Sequence, residues 1–180
     1  SVMDEMNSMK IYIDDSIGNS ISELKAKARR LKMESGLDFL VIDYLQLMSS
    51  GSASAYQGNR VQEISEISRA LKALARDLSI PIMALSQLSR AVELRPSKIP
   101  QLADLRESGA IEQDADVVLM MYREDYYEED TDRKGVTDIY VRKHRNGPIG
   151  HIELAFKKEQ MRFVDIDKNR KMEDYSMPGS

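Results

Sequence analysis

The sequence predicts an α/β fold: a mainly parallel sheet flanked by helices, with antiparallel hairpin strands toward the C-terminus. Three observations carry that expectation. Two short apolar runs, residues 39–43 (FLVID) and 81–85 (PIMAL), each read as a core strand covered on both faces. Between them, Val61, Ile64, Ile67, Leu71, Leu74 and Leu78 form one stripe of an amphipathic helix over residues 61–78. Late in the chain, Asn146-Gly147 between two alternating segments signals a hairpin turn. Helix–strand alternation followed by hairpins is the pattern of an α/β domain.

The elements follow in order. Residues 10–13 are a short strand candidate. Ser20 and Glu23 stand at capping-box spacing, so a helix starts at Ile21; it runs to about Glu34 and is ended by Gly36. Its Lys25, Lys27, Arg29, Arg30 and Lys32 read as a solvated face, with a partner-binding face as the alternative. Residues 49–59, rich in Ser, Gly and Ala, are expected to form a flexible loop. Pro81 opens the second core strand. Residues 90–101 contain two prolines and read as a loop, and residues 102–113 as a helical segment broken near Gly109. Residues 117–122 are a further buried strand, entered from Asp116. Residues 123–134 form an acidic loop, expected to be mobile, on which Tyr126 and Tyr127 are surface residues rather than a stacking pair. Residues 137–143 and 151–156 are the hairpin strands, and 161–166 a last strand. Residues 167–180 are polar and expected to be a disordered tail.

At 180 residues and 42% apolar composition, the chain is one domain or most of one, with enough apolar surface for a core. It contains no cysteine, which excludes disulfides and Cys-based zinc sites. His144 and His151 are its only histidines, too few for a histidine metal cluster. No apolar run is long enough to span a bilayer, and the first residues are not a signal peptide. The net charge of −4 argues against a generic basic nucleic-acid binder, so any DNA contact must come from local patches.

Asp43 ends the first core strand. Open α/β sheets bind their ligands outside the carboxyl ends of the strands, and a carboxylate there can hold a hydrated Mg²⁺ on nucleotide phosphates, as a Walker-B acid does. The competing explanation is that Asp43 simply leads a core strand into solvent. Gln87 follows the second core strand at once; its amide can donate and accept together, which suits a phosphate or water sensor, although it would equally cap a turn. Lys143 and Arg145 alternate at a strand end and so point to one side, while His144 points to the other. Two adjacent cations repel unless an anion lies between them; the alternative is a solvated basic hairpin tip.

Four segments taken together narrow these alternatives: IDYLQLM at residues 42–48, SQLSR at 86–90, DLRESGAIEQDAD at 104–116 and KHRNGPIG at 143–150. In this order they closely resemble the carboxyl-terminal RecA-like ATPase domain of bacterial replicative DNA helicases, the DnaB family. The likeness runs from about Ile11 to about Asp165. It implies that residues 1–166 are the carboxyl-terminal part of a RecA-like helicase motor domain. That motor is an ATP-driven homo-hexamer that translocates on single-stranded DNA and unwinds the duplex at the replication fork. ATP and Mg²⁺ are its implied cofactors, primase and a helicase loader its implied partners, and the cytoplasm its implied location.

The resemblance also implies residue roles. Asp43 holds Mg²⁺ through water. Gln87 senses the γ-phosphate or the attacking water. Arg145 is an arginine finger reaching the neighbouring subunit's ATP, with Lys143 beside it. Arg106, Glu107 and Gly109 match the loop that holds the DNA backbone in the central channel. No glycine here begins G-x-x-x-x-G-K-[ST], so the segment contains no P-loop. In the family that loop and the water-activating glutamate lie upstream, and this segment alone is expected to be inactive. The competing readings are a non-catalytic RecA-like assembly or DNA-binding module, or another RecA-like ATPase such as a recombinase; DLRESGAIEQDAD and KHRNGPIG favour the helicase.

Overall fold

The computed structural model describes residues 9–16, 20–51 and 60–166. The expected tail at 167–180 and most of the 49–59 loop lie outside these residues.

Helix α1 (Ile21–Glu34) begins as its sequence dictates. The Ser20 Oγ accepts from the Glu23 backbone N–H at 3.2 Å, and the Glu23 carboxylate accepts from the Ser20 N–H at 2.8 Å. Two otherwise orphaned donors are thereby satisfied. Gly36, at φ +81°, turns the chain out of the helix. Ser20→Ala should cost about 1 kcal/mol of stability, read as a lower urea midpoint at unchanged slope. The basic residues of α1 lie on the surface, where Arg29 pairs with Asp77 and Arg30 with Glu34, both at 2.8 Å.

Strand β1 (Leu40–Ile42) and strand β2 (Ile82–Ala84) pair in parallel, Ile42 opposite Ala84. A parallel pair needs a crossover, and helix α2 (Arg60–Leu78) supplies it. Its Ile64, Ile67, Leu71 and Leu74 are buried, and three of them join Ile21, Ile42, Leu45 and Met48 in the main core. Val61 leaves the expected stripe, since it lies in the first turn and is half exposed.

After β2 the chain makes a 3-10 segment at Arg90–Leu94 inside the expected loop, then a second at Leu102–Ser108. The second runs directly into helix α3 (Gly109–Asp114), so the break expected near Gly109 is a change of helix type. Strands β3 (Val117–Tyr122), β4 (Val136–His144), β5 (Gly150–Lys157) and β6 (Arg162–Asp165) form an antiparallel meander. Leu105, Val118 and Met120 form a second core beneath it.

The α/β class with antiparallel strands toward the C-terminus holds: among the described residues the strands form two sheets, the parallel pair β1–β2 and the antiparallel β3–β6. Other expectations are corrected. The core strands are covered on one face only: Val118 and Met120 are buried, whereas Val41, Met83, Leu119 and Met121 are about half exposed. A continuous apolar run cannot distinguish these two cases by itself. Residues 10–13 join no strand ladder, and Ile13 is exposed. The acidic segment 123–134 is tied down. Arg133 pairs with Asp138 at 2.6 Å, Glu153 at 2.9 Å and Glu124 at 3.5 Å, and Asp125 accepts from the Gly135 N–H at 3.0 Å. One guanidinium fork thus ties Glu124 of the acidic segment to carboxylates on β4 and β5. Tyr127 stacks on Tyr122 with centroids 5.9 Å apart, while Tyr126 is exposed.

Candidate functional site

Two clusters emerge from this scaffold. The first lies at the carboxyl ends of the parallel strands. Asp43 is exposed immediately after β1, and its peptide to Tyr44 is cis. Gln87 is exposed three residues after β2. The chain does not splay apart beyond the strands, because Leu85 donates its N–H to the Ile42 carbonyl and Leu45 donates to the Leu85 carbonyl, both at 2.9 Å. Gln46 then clasps the second loop: its amide nitrogen donates to the Ser86 hydroxyl at 3.1 Å, and its amide oxygen accepts from the Gln87 N–H at 3.2 Å.

Gln46 is itself anchored from α2. Arg60 donates to the Gln46 carbonyl at 2.6 Å and pairs with buried Glu63, whose other oxygen accepts from the Ser50 N–H at 3.1 Å. Burial alone would raise the Glu63 carboxyl; the Ser50 N–H and Arg60 outweigh it and hold it below the usual range. Asp43 and Gln87 therefore leave two strand ends that hydrogen bonds hold together. An exposed carboxylate with room for water suits Mg²⁺, which keeps much of its hydration shell and binds protein through one or two carboxylates.

The second cluster lies at the turn end of the β4–β5 hairpin. Lys143 donates to the Glu112 carbonyl and, at 3.2 Å, to the Gln113 carbonyl; Arg145 donates to the Gln113 carbonyl at 3.3 Å. Both cations thus lie on one side of the strand, at the carboxyl end of α3, where unpaired carbonyls and the helix dipole favour positive charge. His144 lies elsewhere: its ring approaches the Pro148 carbonyl and fills the space a side chain at Gly147 would need, a Cβ there falling 2.3 Å from the ring. A larger residue at 147 would displace that exposed ring.

Asp116 closes this cluster. Its backbone carbonyl accepts from the Arg145 N–H at 2.8 Å, one carboxylate oxygen pairs with the Arg145 guanidinium at 2.9 Å, and the other receives Lys72 from α2. Lys72 above all, with Arg145 and Arg76 adding to it, holds the Asp116 carboxyl below the usual carboxylate range against the cost of desolvation. Arg69, Lys72, Arg76 and Arg145 together line a cleft of about 240 Å³.

Arg106 and Glu107 fall in the 3-10 segment and Gly109 opens α3, so all three stand at the amino end of the helix whose carboxyl end holds Lys143 and Arg145. Among the described residues, no hydrogen bond or ion pair joins Asp43 or Gln87 to Lys143 or Arg145. Sequence inspection missed Gln46, Lys72 and Asp116. Asp116 was visible only as an acid entering a strand, and Gln46 only as a letter of IDYLQLM, because each acts through partners far away in the chain.

The family described as DnaB-like helicase C terminal domain matches residues 1–165. The replicative DNA helicase DnaC of Bacillus subtilis (strain 168) is 51% identical over 176 residues, covering 98% of this chain and 38% of that protein. The replicative DNA helicase DnaB of Geobacillus stearothermophilus is 52% identical over 166 residues, covering 92% and 36% respectively. The chain thus spans little more than a third of the curated relatives it matches. Among solved structures, one ATPase domain superposes with a TM-score of 0.86 at 42% identity, covering 92% of this chain and 58% of that one. A DnaB-like replicative helicase, described together with its interactions with primase, superposes at 0.85 and 42% identity, covering 92% and 39%. The fold is that of the RecA-like ATPase domains of helicases.

Proposed function

From the premise that this chain belongs to the family of DnaB-like helicase C-terminal domains, we propose that it forms part of the ATP-driven motor of a hexameric replicative helicase. In this proposal residues 1–166 belong to the motor domain, and the full-length protein works in the cytoplasm. No helix among the described residues is long and apolar enough to cross a membrane. Single-stranded DNA is the track. Primase and a helicase loader are partners, the former supported by the primase interactions named for one structural neighbour.

The observation that carries this reading is the clasped pair of strand ends, from which Asp43 and Gln87 both leave exposed. Phosphoryl transfer needs positioning and charge stabilisation more than covalent chemistry. Asp43 holds hydrated Mg²⁺, which when bound neutralises charge on the phosphates. Gln87 contacts the γ-phosphate or its attacking water, and Gln46 fixes the backbone from which it does so. Lys143 and Arg145 serve the ATP of the neighbouring subunit. Arg106, Glu107 and Gly109 hold the DNA backbone. The phosphate cradle is a P-loop that this sequence does not contain, so the chain by itself should show negligible hydrolysis.

The test is ATP hydrolysis by a full-length protein carrying this domain, with and without single-stranded DNA. DNA should stimulate the wild type. Gln87→Ala should retain ATP binding while the stimulated rate falls by about tenfold or more, since a water-positioning residue acts on the transition state. A wild-type rate indifferent to DNA would leave the non-catalytic module as the better reading.

A further inference from the structure

We propose that Asp116 is a positioning residue for Arg145, setting the guanidinium at the angle from which it meets the neighbouring subunit's nucleotide. The proposal rests on the reading of Arg145 as an arginine finger and extends it to a residue that does not touch the nucleotide.

An arginine at a hairpin turn has several free torsions. Arg145 is held here at three points by two neighbouring residues. Its N–H donates to the Asp116 carbonyl at 2.8 Å, one terminal nitrogen pairs with the Asp116 carboxylate at 2.9 Å, and the other donates to the Gln113 carbonyl at 3.3 Å. Main chain and side chain of one residue thus fix both the origin and the direction of the fork. A planar guanidinium held this way keeps further N–H donors for an anion.

Charge makes the same point. Lys72 and Arg76 line the cleft with Arg145, and like charges so placed push one another apart. The Asp116 carboxylate stands between two of them, taking Lys72 on one oxygen and Arg145 on the other. Lys72 is mostly buried and carried on α2, so it anchors Asp116 to the rigid core of the domain. Asp116 and Arg145 are both near half exposed, so their pair adds little to stability. Its consequence is orientation, and a finger displaced by about 1 Å is costly in rate.

The experiment uses the full-length hexamer. Asp116→Ala should lower the DNA-stimulated kcat by about tenfold, with KM for ATP within about twofold of wild type. Asp116→Asn, which keeps the shape and removes the charge, should show a similar loss and carries the test if the alanine variant fails to assemble. Asp116→Glu should recover much of the rate. In an Arg145→Ala background, single-turnover rates should change less than about twofold on adding Asp116→Ala, because a residue that acts only through the guanidinium has nothing left to position. An equal loss in both backgrounds, or wild-type kcat in Asp116→Ala and Asp116→Asn, overturns the proposal. Full turnover in Arg145→Ala alone would instead sink the arginine-finger reading, so the two failures are distinguishable.

Discussion

Arg145→Ala in the full-length hexamer is expected to reduce ATP turnover by about a thousandfold or more while substantial ATP binding survives. An arginine finger neutralises charge that develops in the transition state, so its loss appears in rate and far less in ground-state affinity. The same argument gives the expectation a second, stricter form. A ring of identical subunits repeats one head-to-tail interface, so each nucleotide site draws on two chains. Asp43→Ala subunits lack the metal anchor but keep the finger; Arg145→Ala subunits have the reverse defect. In subunit-exchanging mixtures of equal amounts, about a quarter of the interfaces set an intact finger against an intact metal site. Two nearly dead preparations should therefore recover measurable hydrolysis on mixing. Absence of recovery, with exchange verified by labelled subunits, would mean that Asp43 and Arg145 serve the same site within one chain. Among the described residues no hydrogen bond or ion pair joins Asp43 to Arg145, which is compatible with recovery.

How far this could be foreseen differs from element to element. The start of α1 was legible because the capping box is local: Ser20 and Glu23 are three residues apart and meet their partners within that span. The buried face of α2 was legible because Ile64, Ile67, Leu71 and Leu74 repeat with the helical period. The hairpin was legible from Asn146-Gly147, though the His144 ring lying over Gly147 is not a property of the turn alone. What sequence could not show is what reaches across the fold. Arg133 gathers Glu124, Asp138 and Glu153 and turns a supposed mobile loop into a folded one. Gln46 ties two strand ends together across some forty residues, and Lys72 reaches Asp116 over a similar separation. The exposure of one sheet face was equally hidden, since an apolar strand spells the same whether one face or both are covered.

Arg106→Ala in the full-length hexamer is expected to weaken single-stranded DNA binding and unwinding with little dependence on base sequence. Phosphate contacts fix the position of a strand but carry no base information. Each phosphate neutralised on a single strand releases condensed counterions, so losing one contact should reduce the slope of log affinity against log salt by roughly 0.7. If several subunits engage the strand together, the change in slope counts how many Arg106 side chains were in contact. Basal ATP hydrolysis should survive better than DNA-stimulated hydrolysis, since Arg106 belongs to a different part of the site from Asp43, Gln87 and Arg145. The two outcomes are linked through α3. Arg106 precedes its first residue, while its last carbonyls receive Lys143 and Arg145. If DNA pulls on the amino end of this six-residue helix, the shift reaches the carbonyls that Lys143 and Arg145 bind near its carboxyl end. DNA stimulation of the neighbouring site should thus be lost along with the contact. Unchanged affinity and slope would remove Arg106 from the channel; equal loss of basal and stimulated turnover would place it at the subunit interface instead.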